Sequence, residues 1–153
     1  MGLLIPANQS VGLRGRRGAL VPEQRADAAV DHLLGELEAS IMRLMWGCQI
    51  ATVREILDLL VTAGRPLAYT TVMTVMGRLV GKELLARELI GKSHVYRAAM
   101  TEDEFLRAAA TKRVQALVEE FGDLAVAQFV ATVSDLSPKR RRQLERLAAG
   151  KTP

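Results

Sequence analysis

One stretch, AYTTVMTVMGRLVGKELL from Ala68 to Leu85, constrains this chain more than any other. At about 100° per residue, Val72, Val75, Met76 and Leu79 share one side of a helix. Thr70, Met73, Thr74, Gly77, Arg78 and Gly81 share the other. The first set is a core stripe. The second is small and hydroxylated, has no acid, and has Met73 as its bulky apolar side chain. A helix that only meets water ordinarily carries Glu, Lys and Gln on its outer face. A surface this flat suits close approach to another polymer. On DNA, Thr reaches phosphates, base edges and thymine methyls, and Arg reads guanine or grips phosphate. A helix packed on both sides inside a bundle would show a similar pattern, so the flanking segments must decide.

They favour the DNA reading. Leu34, Leu37, Ile41 and Leu44 form a helical stripe that ends near Trp46, a candidate core anchor, with Gly47 as the stop. Thr52-Val53-Arg54-Glu55 is a capping box. It opens a second helix with Val53, Ile56, Leu57 and Leu60 inside, and Gly64 and Arg65-Pro66 close it. The third helix follows at roughly 69–82. Helix, turn, helix at these lengths puts the later helix in the recognition position. The period then changes from 3.6 to 2. Leu84 to Leu89 and His94 to Ala98 read as strands around the turn Ile90-Gly91-Lys92-Ser93. Three helices and a hairpin make a winged helix, with Lys92 at the wing tip and Arg87 and Arg97 beside it, where a phosphate backbone would lie.

Beyond residue 100 the pattern is helical throughout. Thr101-Glu102-Asp103-Glu104 is a second capping box, and Leu106, Ala110, Val114, Leu117 and Phe121 form a stripe until Gly122-Asp123. Leu124 to Val133 is apolar nearly all round, so burial on more than one side is expected. Ser137-Pro138 starts a last helix with Leu144 and Leu147 facing inward. Such short helices cannot bury this much apolar surface alone, and an interlocked homodimer is the natural solution.

The expected organisation is a flexible tail over 1–33, a winged-helix domain over 34–100, a helical dimerisation region over 101–149 and a short tail over 150–153. The fold class is mostly α with a small β-hairpin. An apolar content of 49% with only 4% aromatics favours such helical packing over a β-sandwich. The formal charge of +4 is a weak argument for nucleic acid. Basic residues outnumber acidic ones by only one or two in each region, so the face of the third helix must carry the case. The single cysteine, Cys48, excludes a disulfide within the chain and a multi-cysteine metal site. It fits a reducing, cytoplasmic setting. No apolar run approaches the length of a membrane span. Arg16-Arg17 resembles a twin-arginine export signal only faintly, because Pro22 stops the apolar run behind it.

Several motifs together resemble the BlaI/MecI family of bacterial repressors, which control β-lactamase and penicillin-binding-protein genes. They are LGELEASIMRLMW, TVREILDLL, YTTVMTVMGRLVGKELL and GKSHVYRA, in that order and spacing. The resemblance covers about Leu34 to Ala149. It implies a homodimer that sits on an inverted-repeat operator in double-stranded DNA and blocks transcription. It also implies relief by a membrane sensor protease, or a pathway it starts, that cuts the dimerisation region. Thr70, Thr71 and Thr74 occupy the family's recognition-helix contact positions, and Arg78 keeps its basic residue. The family cuts between Asn and Phe, and this chain has Gln128-Phe129 there. The carboxy-terminal cysteine cluster of copper-responsive relatives is absent.

The expected DNA interface is therefore Thr52, Tyr69, Thr70, Thr71, Met73, Thr74 and Arg78, joined by Arg87, Lys92 and His94 from the wing. The expected dimer surface is Leu106, Leu117, Phe121, Leu124, Phe129, Val130, Val133, Leu144 and Leu147. No nucleophile–base pair, P-loop, GxGxxG or two-histidine metal spacing occurs, so neither an enzyme nor a cofactor or metal is expected. Two other readings stay open: a winged helix that binds protein rather than DNA, and a one-component sensor of a small molecule.

Overall fold

The computed structural model describes residues 22–150. Seven helices and a small sheet run in the order α1 (Pro22–Leu33), α2 (Glu36–Cys48), β1 (Ile50–Ala51), α3 (Val53–Thr62), α4 (Tyr69–Gly81), β2 (Leu85–Ile90), β3 (Ser93–Ala98), α5 (Glu102–Phe121), α6 (Asp123–Ser134) and α7 (Pro138–Ala148). No helix of the described residues is long and apolar enough to cross a membrane.

The core is built by α1 to α4 and the base of the hairpin. Val53, Ile56, Leu57 and Leu60 of α3 and Val72, Val75, Met76 and Leu79 of α4 are all buried, as their spacing requires. On α2 the inner stripe is rotated: Ala39, Ile41, Met42 and Met45 are buried, while Leu37 and Leu44 pack at the core's edge. Gly47 does not stop this helix. It runs one residue further, and Gln49 turns the chain with φ 64°. Both capping boxes form: Thr52 accepts from the Glu55 N–H and Thr101 from the Glu104 N–H, and each Glu carboxylate accepts the cap residue's own N–H.

The hairpin pairs Leu85 with Ala98 through to Ile90 with Ser93, leaving Gly91-Lys92 as a two-residue turn. Gly91 takes φ 63° at the first turn position, which suits glycine. The short strand β1, not expected from sequence, adds to the other edge of β3 through Ile50–Arg97 and Ala51–Tyr96, giving the order β1-β3-β2.

Two expectations are corrected. The flexible tail cannot extend to residue 33, because Pro22–Leu33 form a helix with Val30 fully buried; residues 1–21 lie outside the described part. The inward positions of α1 are Ala26, Ala29, Val30 and Leu33, spaced i, i+3, i+4 and i+7. The second correction concerns the carboxy-terminal half. Within one chain Leu124 to Val133 is not buried on several sides, and Ala125 alone of this stretch is partly covered. Leu124 and Val130 are 61% and 60% exposed, and Phe121 and Phe129 50% and 42%. Leu144 is half-buried and Leu147 is exposed rather than inward-facing.

Candidate nucleic-acid interface

The position of α4 is set from both ends by α2. Before α4, Arg65 in the turn donates to Ser40 Oγ at 2.6 Å and to Glu36 Oε1 at 2.7 Å. After α4, Lys82 Nζ bonds both carboxylate oxygens of Glu38 at 2.7 and 2.8 Å. These partly exposed pairs are individually weak. Their value is geometric, since one scaffold helix holds the two ends of another.

With its aliphatic side packed on α2 and α3, α4 turns the rest outward. Tyr69, Thr70, Thr71, Met73, Thr74 and Arg78 are all exposed. Thr70, Thr71, Thr74, Val75 and Arg78 line a shallow depression of about 280 Å³. Gly77 and Gly81 lie on the same outer side, and a Cβ at either would meet nothing within 4 Å beyond its own helix among the described residues, so their smallness serves no packing there. The Thr74 hydroxyl donates to the Thr70 carbonyl at 2.8 Å, which fixes its rotamer and leaves its oxygen as an acceptor. Thr70 and Thr71 make no side-chain hydrogen bond among the described residues, so both hydroxyls are open to a partner.

The wing divides its charges between two faces. Cross-strand partners share a face, so Arg87 and His94 lie on the side of Leu85 and Tyr96, whose buried base meets the helices. Glu88 and Arg97 lie on the opposite face and pair at 2.6 Å. Arg97 is thereby neutralised locally. Arg78, Arg87 and Lys92 form no ion pair among the described residues, so α4 and the wing present three uncompensated cations. Arg78 does not pair with Glu55 or Glu83.

Thr52 differs from the other expected contacts. It is half-buried, its hydroxyl accepts from the Glu55 N–H at 3.3 Å, and it donates to Glu55 Oε2 at 2.8 Å. A phosphate would have to displace that carboxylate, whose pKa is held below the usual range by the Thr52 backbone N–H and then by its hydroxyl. In the structure Thr52 serves as the cap of α3, with its hydroxyl already engaged by Glu55. Two positioning residues, Arg65 and Lys82, were not anticipated. Their signal was available as cations bracketing α4, but their partners on α2 are set by tertiary packing.

The second region of interest is the open side of α5 and α6. Leu117, Phe121, Leu124, Ala125, Gln128, Phe129 and Thr132 line an apolar cleft of about 280 Å³. Leu106 packs at the edge of the core, as Phe105 and Met100 do. Among the described residues no group of three or more His, Cys, Asp or Glu side chains could hold a metal ion.

The sequence matches the penicillinase repressor family over residues 34–149. The transcriptional regulator BlaI of Mycobacterium tuberculosis is 36% identical over 121 residues, covering 76% of this chain and 86% of that protein. Among solved structures, MepR, a transcription regulator of the Staphylococcus aureus multidrug efflux pump MepA, aligns over 84% of this chain and 85% of its own, at 17% identity and TM-score 0.43. A MepR mutant bound to an oligodeoxyribonucleotide aligns over the same shares at 18% identity and TM-score 0.44.

Proposed function

The chain belongs to the penicillinase repressor family, and from that premise we propose that it acts as a homodimer whose two α4 helices enter major grooves of an inverted-repeat operator. Membership makes it a DNA-binding transcriptional repressor and not an enzyme. One observation carries the finer reading: α4 buries its aliphatic side and leaves a threonine-lined, acid-free surface that nothing among the described residues covers. On it, Thr70, Thr71 and Thr74 supply hydroxyls, Tyr69 and Met73 apolar contact, and Arg78 a charge. Arg87, Lys92 and His94 extend the surface along the wing towards the sugar-phosphate backbone. Pairing through the open side of α5 and α6 would present two such surfaces, as a two-fold site demands.

Fluorescence anisotropy against the promoter upstream of its own gene tests this directly. Thr70→Ala with Thr74→Ala should relax site selectivity, with each lost base contact costing about 1–3 kcal/mol, and should leave the melting temperature unchanged because both side chains are exposed. Unaltered selectivity in that double variant removes the recognition assignment. Arg87→Ala or Lys92→Ala should weaken binding evenly across sequences and lower the salt slope by about one.

Relief of repression by a membrane sensor protease extends the same reading. Gln128–Phe129 sits in the middle of α6 and on the apolar cleft, so one cut there would destroy the pairing surface. A helical bond must open locally before a protease can take it. Mass mapping of fragments from induced cells decides the point, and an intact Gln128–Phe129 bond after induction ends this extension.

A further inference from the structure

The helix α1 lies just ahead of the region that matches the family, yet it is built into the molecule. Ala26, Ala29, Val30 and Leu33 face inward, and Val30 is fully buried. One guanidinium holds it from α2. Arg43 Nη1 donates to Asp31 Oδ1 at 2.9 Å, Nε to Asp27 Oδ1 at 3.3 Å and Nη2 to the Asp27 carbonyl at 2.8 Å. Asp27 and Asp31, one turn apart, therefore act as a single acceptor face. The Arg43 pKa is raised, chiefly by its hydrogen bond to Asp31. On its other side α1 packs against α5.

That placement makes α1 span a joint. The winged-helix domain ends at Ala98 and α5 begins at Glu102, so three residues connect them. Trp46 of α2 already grips the joint, donating its indole N–H to the Met100 carbonyl at 3.0 Å and setting its ring 5.8 Å from that of Phe105. α1 touches the helix on each side of it. Beyond the joint, α5 is a lever of 20 residues, roughly 30 Å long. A rotation of about 10° at its base would move its far end by about 5 Å, more than the rise of roughly 3.4 Å per base pair.

We propose that α1 is a strap that fixes the angle between the winged-helix domain and α5, and that it thereby selects the spacing between operator half-sites. The spacing claim rests on the dimeric operator reading above; the strap itself does not. The ion pairs are exposed enough to remove without unfolding, so the test uses Asp27→Ala with Asp31→Ala in the full chain, with a thermal melt alongside. Nitroxides at Ser93→Cys and Glu119→Cys, in a Cys48→Ser background diluted into unlabelled protein, report the wing-to-α5 distance by pulsed EPR. The strap predicts a broader distance distribution in the alanine variant. It also predicts that the preference for the best spacer over one a base pair longer falls by about threefold to fivefold, as loss of two weak ion pairs allows. A distribution of unchanged width overturns the strap. A broader distribution with unchanged spacer preference overturns the spacing claim. Absence of spacer preference in the parent protein breaks the operator reading instead, while the EPR width still decides the strap.

Discussion

The two halves of this molecule handle similar apolar patterning in opposite ways. Every buried hydrophobic residue of the described chain lies between Val30 and Tyr96, and α5, α6 and α7 bury none fully. The first half closes on itself because α1 to α4 and the hairpin base meet at several angles around one centre. The second half is three successive helices that pack loosely, with Gly122 at φ 56° as the turn between α5 and α6 and Arg107 of α5 donating to the Leu147 carbonyl of α7 at 3.4 Å. Of the α6 residues only Ala125 is partly covered, and every other one is exposed. Phe121, Leu124, Phe129 and Val130 are exposed, and in the proposed homodimer they would form a core that a second chain completes.

The largest expected effect tests that contrast. Leu124→Asp with Phe129→Asp should abolish pairing, because a dry interface would then bury unpaired carboxylates. Sedimentation should show monomers, and operator affinity should fall by about 100-fold or more as two-site binding is lost. The winged-helix domain should stay folded, with Trp46 in its native environment. A variant that still sediments as a dimer would place the interface elsewhere. In the closed half, Met76→Ala removes a side chain with no exposure and should cost about 2–5 kcal/mol. Its unfolding midpoint should fall at every protein concentration, whereas the parent's dimer-linked transition should rise with concentration.

Each half also carries one capping box, which permits a matched comparison. Thr52→Ala and Thr101→Ala should each cost about 1 kcal/mol. Thr52→Ala should act on the α3–α4 unit and lower operator affinity indirectly, while Thr101→Ala should loosen the start of α5. Both capping carboxylates, Glu55 and Glu104, have lowered pKa values, each chiefly through the cap residue's backbone N–H and then its hydroxyl. A depressed folded pKa gives stability that is present above the unfolded value and lost as pH falls through the folded one. Acidification below the ordinary glutamate range should therefore weaken both caps together. A pH titration of amide exchange at Glu55 and Glu104 checks this, and pH-independent protection at either would contradict it.

Much of the closed half was legible because local and tertiary demands agree there. The four inner residues of α3 and of α4 follow from period alone, and the wing follows from the change of period and Gly91. Three features were not legible, for different reasons. β1 is two residues long and exists only because the distant β3 offers it an edge. The α2 stripe is apolar over so wide an arc that sequence cannot say which rows are deepest. α1 has a narrow inner face, half of it alanine, and the glycines and arginines ahead of it masked a helix that Pro22 at the first position does announce. Of the candidate site, the Thr and Arg positions were readable as a face, whereas the occupied state of Thr52 and the clamps from Arg65 and Lys82 required the packing.

The smallest expected effect compares the two helices of the helix-turn-helix at their carboxy-terminal ends. Both close with the same pair of bonds. Arg65 N–H reaches the Leu60 carbonyl and Gly64 N–H the Val61 carbonyl after α3; Leu84 N–H reaches Leu79 and Glu83 N–H reaches Val80 after α4. The residue in the left-handed position is Gly64 at φ 79° in the first case and Glu83 at φ 60° in the second. An L side chain pays about 1–2 kcal/mol there, and glycine's larger entropy loss on folding offsets about 0.5–1 of that. Glu83→Gly should therefore stabilise the winged-helix domain by about 0.5–1 kcal/mol, read as a higher denaturant midpoint at constant slope. It also removes a carboxylate one turn beyond Arg78, so operator binding should tighten slightly at low salt and match the parent at high salt. The reverse change, Gly64→Glu, should destabilise by a similar amount. If Glu83→Gly lowered the midpoint instead, Glu83 would be making a favourable contact that outweighs the strain of its backbone.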